Sequence, residues 1–136
     1  MKQHFIDTSG FAAEILVDDQ YHEQALVIAE ELQTQNSISI TTDYILSETL
    51  TLLKARSGHQ AALQFAELIN RDSDLTIVYT NHKGFENALR IFKTYQDKKF
   101  SFVDCLSFVV MRQRKITMAF TFDKHFEQAG FEIIKT

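Results

Sequence analysis

The chain has no proline, no tryptophan, one cysteine and four glycines among its 136 residues. The lone Cys105 excludes an internal disulfide framework and fits a reducing compartment. Without proline, helix ends lose a common marker, so boundaries are expected to drift by a few residues. Long apolar runs are also missing. Phe108-Val109-Val110-Met111 is far short of the ~20 residues needed to span a bilayer. The start, Met1-Lys2-Gln3-His4, carries no apolar secretory stretch. The expectation is a cytoplasmic protein with no membrane contact. There is no glycine-rich phosphate loop. The histidines His4, His22, His59, His82 and His125 share no metal-ligand spacing with one another or with Cys105, which argues against zinc.

Positive charge is scarce: 14 lysines and arginines against 18 acids give a net charge of -4. That balance argues against a generic polyanion binder. A nucleic-acid contact would need a local basic rim, for which Lys54 and Arg56, Lys83 with Arg90 and Lys93, Lys98 and Lys99, and Arg112, Arg114 and Lys115 are candidates. The same side chains serve solubility equally well.

What is present is an ordinary globular composition, 45% hydrophobic and 24% charged, on the scale of one domain spanning residues 1–136. Short β-like runs alternate with helical patterns. A first strand ends at Phe5-Ile6. Tyr21, Ala25, Ile28, Ala29 and Leu32 then recur at helical spacing. Ser37 to Thr41 reads as a second strand, and Thr42-Asp43 caps a helix reaching Ser57-Gly58. A further helix covers about 60–70, Leu75 to Tyr79 is a third strand, and a helix follows over about 83–95. Ser101 opens an almost wholly apolar helix to about 114. Met118 to Phe120 is a fourth strand, a short helix follows Asp123, and Glu132 to Ile134 ends the chain as an edge strand. Strands separated by helices predict a three-layer α/β/α fold around a mainly parallel sheet of four or five strands.

Against this framework four acids stand out because each lies in or beside an apolar run, where an ionised group is costly to desolvate. Asp7 follows the first strand in IDTSGF. It is equally suited to ending that strand and capping the next helix. Asp104, in SFVDCL, completes a capping box with Ser101. Asp123, in TFDKHF, is a candidate N-cap for the following helix. Glu48, in ILSETL, has Tyr44, Ile45, Thr51 and Leu52 as its helical neighbours, which predicts a place on an apolar face. Parallel sheets bind ligands beyond the carboxyl ends of their strands, and all four acids can open onto that edge.

Other residues take blander readings. Cys105 fits a small core residue, and His125, close in sequence to Asp123, is read as a surface residue in preference to one that touches a substrate. The set Phe102, Phe108, Phe120, Phe122, Phe126 and Phe131 reads as packing. Ser9 and Thr121 are candidates to hydrogen-bond a carboxylate or bound water.

The order Asp-Thr-Ser, Ser-Glu-Thr-Leu, Ser-x-x-Asp opening an apolar helix, and Thr-x-Asp-x-x-Phe resembles the PIN-domain family over essentially the whole chain. The VapC-type toxin ribonucleases are the subgroup of similar size. The departure is the missing basic patch. Four clustered carboxylates suit a hard divalent cation, Mg²⁺ or Mn²⁺. Asp7 and Asp104 are the expected direct ligands, with Glu48 and Asp123 holding water or a second ion. Without the cation, like-charge repulsion is expected to raise carboxyl pKa values. The resemblance implies RNA as substrate, a cognate antitoxin and a homodimer. Apolar faces for those partners are sought over 21–35 and 59–70. Competing readings are a non-cleaving PIN-like binding module and a receiver-like phosphoacceptor using Asp7 or Asp43. The latter needs an acidic pair after the first strand, where this chain offers one acid.

Overall fold

A computed structural model describes residues 2–136. Strands β1 (Gln3–Ile6), β2 (Ile38–Thr42), β3 (Leu75–Val78), β4 (Met118–Phe120) and β5 (Glu132–Ile133) form one sheet in the order β3-β2-β1-β4-β5. Every neighbouring pair is parallel, and Phe5 of β1 pairs with Ile40 on one side and Ala119 on the other. These three residues are essentially inaccessible to water. The central strands are therefore apolar, as a parallel sheet covered on both faces requires. His4 is buried between the Ser37 and Ser39 hydroxyls at 2.7 and 2.9 Å. Burial pulls its pKa down to about 4, so it stays neutral and structural.

The helices are α1 (Thr8–Ile15), α2 (His22–Thr34), α3 (Asp43–Ser57), α4 (His59–Arg71), α5 (His82–Thr94), α6 (Phe102–Gln113) and α7 (His125–Gln128). α1 packs on α2 and α3, and α3 on α4; α5 packs on α6, and α6 on α7. Gly58, with φ of +93°, links α3 to α4 in a conformation that side chains resist. Thr42 caps α3 through Ile45 N–H, and Ser101 and Asp104 form the expected capping box on α6. Residues 104–111 of α6 are all buried, which explains its lack of a polar face.

Asp123 caps the start of α7 as expected: its Oδ1 accepts the His125 N–H at 2.9 Å, and Lys124 between them already has helical backbone angles. One sequence expectation needs correction. The third strand stops at Val78, leaving Tyr79 outside it and 71% exposed.

The chain adds β2 and β3 outward on one side of β1, then returns to place β4 and β5 on the other. The direction of growth reverses between β1 and β4. Beyond the carboxyl ends of two such strands the connections part to opposite faces and leave a crevice. Asp7 directly follows β1, and Thr121 to Asp123 directly follow β4.

Candidate active site

Asp7 lies at that edge, directly after β1. Only 4% exposed, it caps α1 by accepting Gly10 N–H on Oδ1 at 3.1 Å. The Ser9 hydroxyl donates to the same oxygen at 2.8 Å, and the Thr121 hydroxyl donates to Oδ2 at 2.8 Å. Ser9 Oγ also accepts Phe122 N–H, and Thr121 Oγ1 accepts Asp123 N–H. These two hydroxyls thus stitch the end of β1 to the end of β4. The capping and functional readings of Asp7 are compatible, since capping fixes the carboxylate in place.

Asp104 is 8% exposed, on the first turn of α6. Its Oδ2 accepts Ser101 N–H at 2.9 Å and lies 2.8 Å from His125 Nδ1, which donates to it. Both bonds fall on Oδ2; among the described residues Oδ1 takes none. Asp123 Oδ1 stands 3.3 Å from the same His125 nitrogen. One ligand atom from each of Asp104, Asp123 and His125 can be chosen so that all three lie within 4.8 Å. His125 is accordingly half-buried between two acids, contrary to the surface role expected for it. The signal in sequence was its position two residues after Asp123. That spacing folds the imidazole back over the carboxylate through the His125 N–H bond.

Glu48 departs from expectation differently. It is exposed, as is Thr51, while Ile45 and Thr49 carry the buried face of α3. Its Oε1 accepts the Thr8 hydroxyl, one residue from Asp7. Glu48 therefore reaches the same sheet edge from the solvent side. Asp18, in the loop after α1, is a control: its side chain is 79% exposed and 4.0 Å from Arg56. Asp18→Asn is expected to change stability by less than about 0.5 kcal/mol, measured by denaturant titration.

Among the described residues, no lysine or arginine pairs with Asp7, Glu48, Asp104 or Asp123. Asp7 has its pKa raised from 3.8 to about 7. Burial is the main cause, opposed by the Ser9, Thr121 and Gly10 hydrogen bonds. Repulsion from Asp123 comes last. The expected like-charge mechanism is thus present but minor; desolvation dominates. The carboxylate oxygens of this group, Asp104 Oδ1 among them without a hydrogen bond, suit Mg²⁺ or Mn²⁺ in chemistry, with the His125 nitrogen as a neighbouring third donor. Cys105 does not contribute. It is buried, and its thiol is pushed up to about 11, mainly by that burial.

Residues 4–132 match the PIN domain. The 23S rRNA-specific endonuclease VapC20 of Mycobacterium tuberculosis is 33% identical over 127 residues, 93% of this chain and 94% of that protein. A VapC ribonuclease of Archaeoglobus fulgidus is 30% identical over 123 residues, 89% of this chain and 77% of its own length. The crystal structure of VapC20, described as a sarcin–ricin loop cleaving toxin, superposes with a TM-score of 0.87 at 31% identity, covering 97% of this chain and 98% of that one. FitAcB from Neisseria gonorrhoeae shares the fold, with a TM-score of 0.70 at 11% identity and 96% of each chain covered. Matched across nearly its whole length in sequence and in fold, the chain belongs to the PIN-domain family, within its VapC-type branch.

Proposed function

We propose that this chain is a metal-dependent endoribonuclease, the toxin of a toxin–antitoxin pair, working as a single nuclease domain over 1–136. The observation that carries the reading is the grouping of Asp104, Asp123 and His125, with Asp7 tied to Asp123 through the Thr121 hydroxyl and Glu48 tethered next to Asp7 through Thr8. Asp7 and Asp104 would hold Mg²⁺ or Mn²⁺. Its nearness to Asp104 supports a direct role for Asp123 as well, in place of a water-mediated one. The ion supplies Lewis-acid polarisation of the phosphoryl group and a lowered pKa for attacking water.

The chain's own residues do the positioning. Ser9, Gly10 and Thr121 lock both Asp7 oxygens toward their partners. His125 Nδ1–H and Ser101 N–H occupy Asp104 Oδ2 and turn Oδ1 free. Such bonds orient the ligating groups of metal sites. Glu48, with Oε1 taken by Thr8, offers Oε2 to align the attacking water. Hydrolysis by this route leaves the RNA 2′-hydroxyl out of the chemistry.

The relative's specificity makes 23S rRNA, and its sarcin–ricin loop in particular, the first substrate to test. Purified protein is incubated with ribosomal and total RNA in Mg²⁺ or Mn²⁺, with and without chelator, and the RNA ends are sequenced beside those from Asp7→Asn. Discrete new ends that need both the ion and Asp7 are expected. Binding without cleavage would instead favour the non-cleaving module. A thermal-shift readout checks the ion separately. Mn²⁺ should raise the melting temperature of wild type at pH 8, by about 2.7 kcal/mol of added stability at a hundred times Kd. It should leave Asp7→Asn nearly unmoved; equal shifts in both proteins would remove Asp7 from the site.

Exposed Leu26 and Val27 on α2, with Leu63 and Leu68 on α4, support an antitoxin contact on the segments singled out in sequence. A homodimer is the second proposed association. Sedimentation of the protein alone and with its co-expressed partner tests both.

A further inference from the structure

Tyr21, at the start of α2, has a placement that core packing does not explain. It is 37% exposed, yet its ring lies flat on Phe122, with centroids 4.6 Å apart and planes 2° from parallel. The other described ring pairs around the core are tilted or edge-on, as in Phe11–Phe65, Phe100–Phe108 and Phe108–Phe126. Among the described residues the Tyr21 side chain makes no hydrogen bond. Its backbone is held instead, by Asp19 Oδ1 accepting Tyr21 N–H at 2.8 Å. Phe122 is fixed from two directions. Its ring makes an edge-to-face pair with buried Phe120. Its N–H donates to Ser9 Oγ at 2.9 Å, and that same hydroxyl donates to Asp7 Oδ1 at 2.8 Å. Two hydrogen bonds thus tie the ring under Tyr21 to the buried carboxylate, and Phe122 lies between Thr121 and Asp123 in sequence. An aromatic surface held this firmly costs little entropy to use, and every nucleobase offers it a π face.

The charge distribution leaves a task for such a surface. The protein is net acidic, and none of its described salt bridges brings a lysine or arginine to the four acids. Phosphate attraction, the usual source of RNA affinity, has no net positive charge of the whole chain behind it. Stacking supplies affinity without charge. We propose that Tyr21, backed by Phe122, is the stacking platform for a nucleobase next to the scissile phosphate. This rests on the nuclease reading of the acid site.

The test scans 2-aminopurine through a short single-stranded RNA, bound to Asp7→Asn in Mg²⁺. One position should show fluorescence quenched severalfold on binding. Tyr21→Ala in that background should abolish the quench and weaken binding by about tenfold. Tyr21→Leu keeps an apolar side chain on Phe122 without a π face, and should behave like Tyr21→Ala. Tyr21→Phe and Tyr21→Trp should behave like the parent. With Asp7 intact, Tyr21→Ala should lower kcat/KM about tenfold, and an abasic residue at the quenched position should cost it nothing more. Quenching that survives in Tyr21→Ala and Tyr21→Leu, or no quenching at any position, overturns the platform. Cleavage without quenching would discard the platform and keep the nuclease. Quenching lost in Tyr21→Leu but without cleavage by wild type would keep the platform and discard the nuclease.

Discussion

Asp7→Asn is expected to cut metal-dependent RNA cleavage by about a thousandfold while leaving a more stable apo-protein above neutral pH. The loss follows from charge. Asparagine keeps the shape of aspartate but binds a hard cation poorly. Polarisation by such an ion is worth several kcal/mol of transition-state stabilisation, and each 1.36 kcal/mol is tenfold in rate.

The gain in stability follows from the raised pKa. In the unfolded chain Asp7 releases its proton near pH 3.8; in the fold it holds it until about 7. Between those values the folded state binds more protons than the unfolded state, so stability falls as pH rises. Above pH 7 the loss is complete, with an upper limit of about 4 kcal/mol at 1.36 kcal/mol per pKa unit. The asparagine side chain carries no such penalty but accepts fewer of the Ser9, Gly10 and Thr121 hydrogen bonds, each worth about 1 kcal/mol. The net gain is expected to be about 1–2 kcal/mol at pH 8 and to turn into a net loss near pH 4, where the desolvation penalty is gone and the lost hydrogen bonds remain. Urea titrations in chelator from pH 4 to pH 9 measure it, beside cleavage assays on the same preparations. A variant less stable than wild type at pH 8 would show that hydrogen bonding outweighs desolvation. One that cleaves at the wild-type rate would remove Asp7 from the chemistry.

The legibility of this fold varied with the physical signal each segment carries. Strands and long helices declared themselves, because β2 (ISITT) and β3 (LTIV) are rich in β-branched residues and α4 and α5 are strongly amphipathic. α1 gave no such cue. Gly10, Phe11, Ala12 and Ala13 are all buried, so the helix shows no alternating stripe, and only the Asp7 cap marks its start. The site was legible as a set of misplaced acids, though not always for the right reason. Asp104 does sit on a buried helix, whereas Glu48 is solvent-facing and comes near Asp7 only through its bond to Thr8. The Ser9 and Thr121 contacts to Asp7 were anticipated as a type of bond. Their role in joining β1 to β4 was not, because it depends on strand order, and no local pattern encodes which strand lies beside which. For His125 only the nearness to Asp123 was local; its bond to Asp104, 21 residues earlier in the chain, was not legible for the same reason.

Gly10→Ala is expected to damage both the fold and the site, although alanine is the better helix former by about 1 kcal/mol. A Cβ built on Gly10 would lie 2.3 Å from the Phe120 carbonyl oxygen, 3.1 Å from its carbon and 3.3 Å from Ile6 Cγ2. Two of these obstacles are backbone atoms of β4, which cannot swing aside as a side-chain tip would. Restoring an ordinary carbon–oxygen contact of about 3.3 Å needs a displacement of about 1 Å between α1 and β4. That shift strains the bonds crossing the same gap: Asp7 N–H to Phe120 O at 3.4 Å, Thr121 to Asp7, and Phe122 N–H to Ser9. Overpacking of this kind costs about 1–3 kcal/mol against a helix-propensity gain of about 1 kcal/mol, for a net loss of up to about 2 kcal/mol. Cleavage by the molecules that remain folded should fall about a hundredfold, since a 1 Å misplacement of catalytic groups has that effect. Denaturation midpoints and single-turnover cleavage rates, compared with Gly84→Ala on α5, separate the clash from a general glycine effect, because the nearest atom to a Gly84 Cβ is a side-chain oxygen of Asn81 at 3.2 Å. A Gly10→Ala protein as stable and as active as wild type would mean that α1 and β4 move apart freely, and that the Asp7 carboxylate does not depend on their close approach.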